Sequence, residues 1–295
     1  MTPETRAKLA QLGTELTPTL LQTTTKLMAS IAAPRDSNVV ITRDHQYGPD
    51  ARNRLDIHRK GQPNAAPVLV YVHGGGFVMG DKTSAGSPFY DNIGQWAAQQ
   101  GFIGVTLTYR LAPAHHWPCG PEDMAQAVRW LRANIGAHGG DPAKIFLLGQ
   151  SAGAVHVAAY TAHAQFHDEG DPGIAGALMT SGIYDPTTQP PNPFGLAYYG
   201  ESPATLAQAR CTAGLLATRV PLLFSVSELD PADFQAQAAQ LAAAWFAAKG
   251  AYPPMEYLAG HNHLSPAQCI GSSEDDLGPR IARFMALALA PVSGA

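Results

Sequence analysis

The sequence predicts an α/β protein, a mostly parallel, doubly wound sheet with helices packed on its faces. Three observations predict it. Unbroken apolar runs recur along the chain, as strands buried on both faces require. Stretches with helical spacing or a high alanine content separate those runs. Two of the runs lead into glycine clusters, His73-Gly74-Gly75-Gly76-Phe77 and Gly149-Gln150-Ser151-Ala152-Gly153, where the chain must turn sharply.

The elements follow in order. Leu9, Leu12, Leu16 and Leu20 share a helical spacing, as do Leu20, Thr24, Leu27, Met28 and Ile31, with Pro18 between the two stretches. A short helical N-terminal segment ending near Pro34 is expected. Residues 38–58 alternate as a hairpin that turns near Gly48-Pro49-Asp50. Buried strands are then expected over Pro67 to Val72, Phe102 to Tyr109, Ile145 to Leu148, Ala175 to Ile183 and Val220 to Val226. Met255 to Leu258 is a weaker sixth. Helices are expected from the Met124, Val128, Leu131, Ile135 series behind Pro121, over Ser151 to Ala164, over Phe234 to Lys249 and over Pro279 to Leu289. Asp185 to Arg210 breaks the alternation with Pro186, Pro190, Pro191 and Pro193, then Phe194, Tyr198 and Tyr199. A connection of that length is usually a functional lid or disordered.

Composition bounds the function. With 295 residues, 45% of them apolar and 14% charged, the chain has the makings of a soluble enzyme with a large buried sheet. A net charge of -4 gives no reason to expect nucleic acid or an anionic membrane as a partner. Cys119, Cys211 and Cys269 are odd in number and fit no metal-ligand spacing, so buried free thiols are expected. No apolar run reaches membrane-spanning length, and residues 1–16 lack the apolar stretch of a signal peptide, so the expected location is cytoplasmic.

Ser151 stands between an expected strand, Ile145 to Leu148, and an expected helix. A serine on such a turn needs small neighbours, which Gly149, Ala152 and Gly153 supply. The blander reading is an ordinary turn with Ser151 as helix cap. The triplet Gly74-Gly75-Gly76 shifts the balance, because loose backbone N–H groups beside a serine suit a developing oxyanion. A dinucleotide fingerprint is the rival reading of the triplet. The spacing Gly74-x-Gly76-x-x-x-Gly80 misses it by one residue, and the next strand ends at Tyr109-Arg110 rather than at an acid.

A serine nucleophile needs a base, and the base an orienting acid. Downstream lie Glu228-Leu229-Asp230-Pro231-Ala232-Asp233 and Gly260-His261-Asn262-His263, each after an expected strand. The order Ser151, Asp230, His263 is available. Asp230 also suits a helix cap before Pro231, with Glu228 and Asp233 as alternative acids. His261 and His263 could be read as a metal pair, but no further ligand cluster accompanies them, so no metal and no cofactor are expected.

These stretches, with Tyr109-Arg110-Leu111-Ala112-Pro113 and Gly139-Gly140-Asp141-Pro142, resemble bacterial carboxylesterases of the α/β-hydrolase fold, in the hormone-sensitive-lipase-like group. The resemblance spans residues 67–265. It implies Ser151 as nucleophile, Asp230 as acid, His263 rather than His261 as base, and an oxyanion hole from the N–H groups of Gly75, Gly76 and Ala152. The chain departs from the family pattern in Ala232-Asp233 after Asp230-Pro231 and in Leu264-Ser265 after His263, which leaves the subfamily open. The expected substrate is a small-molecule ester of short-to-medium acyl length. Amides or aryl formamides on the same triad are the alternative, and a non-catalytic binding homologue a further one. Phe77, Phe194, Tyr198 and Tyr199 are expected to wall the acyl pocket. Residues 1–37 and roughly 186–212 are expected to form a small helical cap on a hydrolase domain of residues 38–295. A homodimer stays open.

Overall fold

The computed structural model describes residues 1–290. Its strands are β1 (Val39–Gln46), β2 (Arg54–Lys60), β3 (Ala66–Val72), β4 (Ile103–Leu107), β5 (Gly140–Gln150), β6 (Gly176–Thr180), β7 (Leu222–Leu229) and β8 (Met255–Asn262). They form one eight-stranded sheet in the order β1-β2-β4-β3-β5-β6-β7-β8. β2 pairs antiparallel with both β1 and β4, and every later pair is parallel. The expected hairpin and parallel strands are therefore present.

The unbroken apolar runs have the physical cause assigned to them. Along β3, Val68, Val70 and Val72 enter one apolar cluster, while Leu69 and Tyr71 enter another on the opposite face. β5 divides the same way, with Ile145 and Leu147 on the first face and Phe146 and Leu148 on the second. Helices α4 (Cys119–Asn134), α5 (Ala152–Ala162) and α9 (Ala232–Lys249) cover the first face. Helices α3 (Asp91–Gln99) and α11 (Leu277–Leu289) cover the second. Each fully buried Val, Leu or Phe on these faces contributes roughly 1.5–3 kcal/mol relative to exposure. The sheet is thus doubly wound.

Helix α3 falls in a stretch given no element by the sequence reading. Its Ile93, Trp96 and Ala97 reach the core, but Gly94 interrupts it. That glycine has a packing reason. A Cβ on it would lie 2.4 Å from the His58 ring, and one on Gly104 of β4 would lie 2.3 Å from the Gly94 carbonyl. The helix needs the glycine to lie against the sheet, and the glycine hides the helix.

The connection after β6 is built from short helices, α6 (Pro193–Tyr199), α7 (Pro203–Gln208) and α8 (Thr212–Ala217). Prolines start the first two: Asn192 accepts from the Gly195 N–H at 2.9 Å ahead of Pro193, and Ser202 from the Thr205 N–H at 3.4 Å ahead of Pro203. The same Thr-Pro device starts α1 (Pro3–Ala10) and α2 (Pro18–Ile31), capped by Thr2 and Thr17. α1 packs on β8, and α2 on α10 (Ser265–Gln268). Leu9 and Met28 of the N-terminal helices cluster with Phe89 and Cys269, whereas Tyr198 and Tyr199 of α6 cluster with Phe77 and Ala152. All three cysteines are free and buried. Among the described residues, no helix is long and apolar enough to cross a membrane.

Candidate active site

Ser151 lies between the end of β5 and the start of α5, with φ 56 and ψ -121. A non-glycine residue held at positive φ stores roughly 1–3 kcal/mol of strain. The surroundings hold it there. Its N–H donates to the Thr180 carbonyl at 2.9 Å, and its carbonyl accepts from Val155 at 3.1 Å. A Cβ on Gly149 would lie 2.3 Å from the Gly153 carbonyl, and one on Gly153 would lie 2.1 Å from that of Val72. The small neighbours therefore let strand and helix meet. The Ser151 side chain caps nothing, which removes the helix-cap reading.

The glycine triplet lies against this turn. A Cβ on Gly74 would stand 3.1 Å from the Ser151 Cβ and 2.5 Å from Gln150 Oε1. Gly75 has φ +124, and a Cβ on it would collide with the Met79 carbonyl at 2.1 Å. Gly76 has φ +58 and lies under Phe194, whose ring would be 2.8 Å from a Cβ there. The N–H groups of Gly75, Gly76 and Ala152 donate to no backbone acceptor. Beneath the loop, His73 stacks on Tyr109 at 4.4 Å, and the Tyr109 hydroxyl donates to the His73 carbonyl at 2.9 Å. Burial pushes His73 down to about 4 and the neighbouring His156 to about 3, so both are neutral there.

The turn after β7 carries Asp230, and the loop after β8 carries His263. His263 Nδ1 lies 2.7 Å from Asp230 Oδ1. Asp230 is fully buried, and its other oxygen accepts from the Ser181 hydroxyl at 2.7 Å and the Ser227 N–H at 2.7 Å. An imidazole donating from Nδ1 presents the Nε2 lone pair. Nε2 of His263 is buried and has no hydrogen-bond partner.

The alternatives are otherwise occupied. Glu228 pairs with Arg6 and accepts from the Gly260 N–H at 2.6 Å. Asp233 accepts from the Gln189 amide at 3.0 Å. His261 bonds the Ser265 hydroxyl at 3.0 Å, and burial pushes its imidazole down to about 4. The helix after Asp230 begins behind Pro231, and the Asp230 carboxylate does not cap it.

Of the four expected pocket aromatics, three are packed together. Phe77 stacks on Tyr198 at 4.3 Å and meets Tyr199 edge-on at 5.8 Å, and all three are at most 9% exposed. Phe194 is 43% exposed and is the ring that covers Gly76. A cavity of about 410 Å³ opens between Trp117, His163, Phe166 and Gln208. It lies toward the C-terminal end of α5, away from Ser151 at the N-terminal end.

Sequence reasoning missed the residues that hold the pair. Ser181 and Ser227 carried no motif. Gln150, the variable position of the serine motif, donates to the His263 carbonyl at 2.8 Å. Only its place beside Ser151 could have flagged it.

A family model for the alpha/beta hydrolase fold matches residues 69–250. The chain is 33% identical over 168 residues to the esterase LipQ of Mycobacterium tuberculosis, covering 53% of this chain and 39% of that protein. It is 37% identical over 123 residues to the esterase LipC of the same organism, covering 41% and 30%. It thus spans well under half the length of these relatives. The esterase of the archaeon Pyrobaculum calidifontis superposes with a TM-score of 0.73 at 21% identity, covering 98% of this chain and 99% of that one. The expected resemblance to bacterial esterases is borne out by these matches, and the chain belongs to the α/β-hydrolase fold family.

Proposed function

We propose that this protein is a serine carboxylesterase that hydrolyses short-to-medium acyl esters through an acyl-enzyme. The observation that carries the reading is the pairing of a strained, glycine-flanked Ser151 with a buried His263–Asp230 contact of 2.7 Å. The esterase relatives support the reaction class.

The chemistry follows from the atoms. Ser151 Oγ attacks the ester carbonyl carbon as His263 Nε2 takes its proton. Asp230, held by Ser181 and Ser227, keeps the proton on Nδ1 and steadies the imidazolium that forms. The carbonyl oxygen becomes an oxyanion and receives the N–H groups of Gly75, Gly76 and Ala152. The C–O bond breaks, and His263 gives its proton to the departing alkoxide. Water, deprotonated by His263, then attacks the acyl carbon, the bond to Ser151 Oγ breaks, and His263 returns the proton to Oγ as the acid leaves. Residues 1–37 and 186–212 serve as the cap in this reading. The apolar stack of Phe77, Tyr198 and Tyr199 lies behind the oxyanion loop, and Phe194 lies over it, and these rings support a short acyl chain rather than a long one in this reading. Each buried methylene is worth about 0.8 kcal/mol until it clashes.

The test is a fluorophosphonate and a p-nitrophenyl ester series. The adduct is expected on Ser151, and Ser151→Ala should fold normally while kcat falls by about five orders of magnitude or more. The optimum is expected at roughly two to six acyl carbons. An adduct on another serine, or an optimum at twelve or more carbons, would reject the corresponding half of the proposal.

A further inference from the structure

The N-terminal helices reach the segments next to the base–acid pair through two polar tethers. In the first, Asn262 uses its whole side-chain amide. Its Oδ1 accepts from the Leu264 N–H at 3.2 Å and the Ser265 N–H at 3.1 Å, shaping the turn that carries His263. Its Nδ2 donates to the Thr24 hydroxyl of α2 at 2.7 Å. Both residues are fully buried. One turn further on, Gln268 donates to the Thr25 hydroxyl at 3.1 Å. In the second, Glu228 accepts from the Gly260 N–H and from Arg6 Nη2 of α1, at 3.0 and 2.9 Å to its two oxygens. Glu228 is two residues from Asp230, and Gly260 is three from His263. The Arg6 stem also lies over Gly260, where a Cβ would meet it at 2.9 Å.

We infer that residues 1–31 act as a positioning clamp on the catalytic base, with Thr24 as the residue that sets the His263 turn through Asn262. This rests on the hydrolase reading above. A buried amide N–H that loses its acceptor keeps its full desolvation penalty. The Asn262 side chain can avoid that cost only by rotating, and rotation releases the N–H groups of Leu264 and Ser265. His263 then loses its aim at Ser151, while the glycine loop and the aromatic stack are untouched. The effect should therefore fall on turnover and not on substrate affinity.

The experiment compares wild type, Thr24→Val and Thr24→Ser, using p-nitrophenyl butyrate turnover and the rate of fluorophosphonate labelling of Ser151. Valine keeps the shape and removes the acceptor. Thr24→Val is expected to lose about tenfold in kcat and in labelling rate with KM within about twofold, and Thr24→Ser to recover to within about threefold of wild type. A folded Thr24→Val with wild-type kcat and labelling rate overturns the clamp, as does a serine variant that restores nothing. If Thr24→Val does not fold, the exposed Arg6→Gln decides by the same readouts: a drop of about threefold in kcat supports the clamp, and no drop overturns it. A wild-type protein that takes up no phosphonate overturns the hydrolase reading, and the clamp with it. Labelling at the wild-type rate in both variants overturns the clamp alone.

Discussion

At Ser151 and the glycine loop the site is shaped by main chain, whereas at His263 and Asp230 it is shaped by side chains. The first region needs residues that are absent in bulk. Gly74, Gly75, Gly149 and Gly153 each occupy a spot where a Cβ would meet another atom at 3.1 Å or less. The second needs residues that are present. Ser181 and Gln150 reach in from two different segments, and Thr24 from a third by way of Asn262. A backbone-shaped region fails when a side chain is added, and a side-chain-shaped region fails when one is removed.

Short of removing the nucleophile, the largest expected effect breaks the second region at its centre. Asp230→Asn leaves the geometry in place but favours the wrong imidazole tautomer, and kcat should fall by on the order of 10⁴. Glu228→Gln and Asp233→Asn should cost far less, because Glu228 meets Arg6 and Gly260, and Asp233 meets Gln189. Steady-state kinetics of the three variants checks the ranking. An Asp233→Asn enzyme as damaged as Asp230→Asn would show that the carboxylate nearest His263 is not the one that orients it.

The next effect breaks the first region. Gly75→Ala places a Cβ where 2.1 Å separates it from the Met79 carbonyl, at a φ of +124 that alanine avoids. The loop must shift, and one N–H leaves the oxyanion. The loss in kcat should be about 10²–10³, the scale of removing one such donor. His263→Ala in the same background should then cost clearly less than it does alone if the two regions act as one unit in the transition state. Full additivity of the two losses would separate them.

The same contrast explains what the sequence disclosed. The glycine loop and the serine turn were legible because main-chain geometry demands particular residue types at adjacent positions, and adjacency is what a single sequence displays. The unbroken apolar strands were legible because a sheet covered on both faces leaves no polar alternation. His263 and Asp230 were legible only through their order behind two strands. Ser181 and Thr24 were not legible at all, since a hydroxyl that serves a partner 49 or 238 residues away has no local pattern. Helix α3 was hidden by Gly94, whose use is visible only with His58 and β4 beside it. Helix α6 of the 185–212 connection was hidden by its own starting proline. The bounds of the strands differed by a few residues, because the ends of β5 and β8 run past their apolar cores to deliver Gln150 and Asn262.

The smallest effect expected on turnover is a pH dependence of stability that both regions share. Burial pushes His58, His73 and His261 down to about 4 and His156 to about 3. Each is neutral in the fold and titrates near 6.5 once unfolded. Between those values the unfolded chain binds the extra protons, so stability is complete above about pH 6.5 and is lost as pH falls toward 4. The buried carboxyls of Asp123 and Asp275 are raised by desolvation and act in the opposite sense. Half-buried Asp36 is lowered, by the Asn38 N–H first and Lys60 next, and matters only below about 3.8. The histidines therefore govern the window from 6.5 to 4, at about 1.4 kcal/mol per pH unit for each proton taken up. His73 and His156 underlie the glycine loop, and His261 lies at the end of β8, two residues before His263. Urea melts at pH 7, 6, 5 and 4.5 should show stability falling with a slope that approaches several protons. His156→Gln should remove about one proton from that slope, and His261→Gln about one more. A stability that stays level from pH 7 to 4.5 would mean that these imidazoles are charged or solvated in the fold, and that neither region is as dry as its packing indicates.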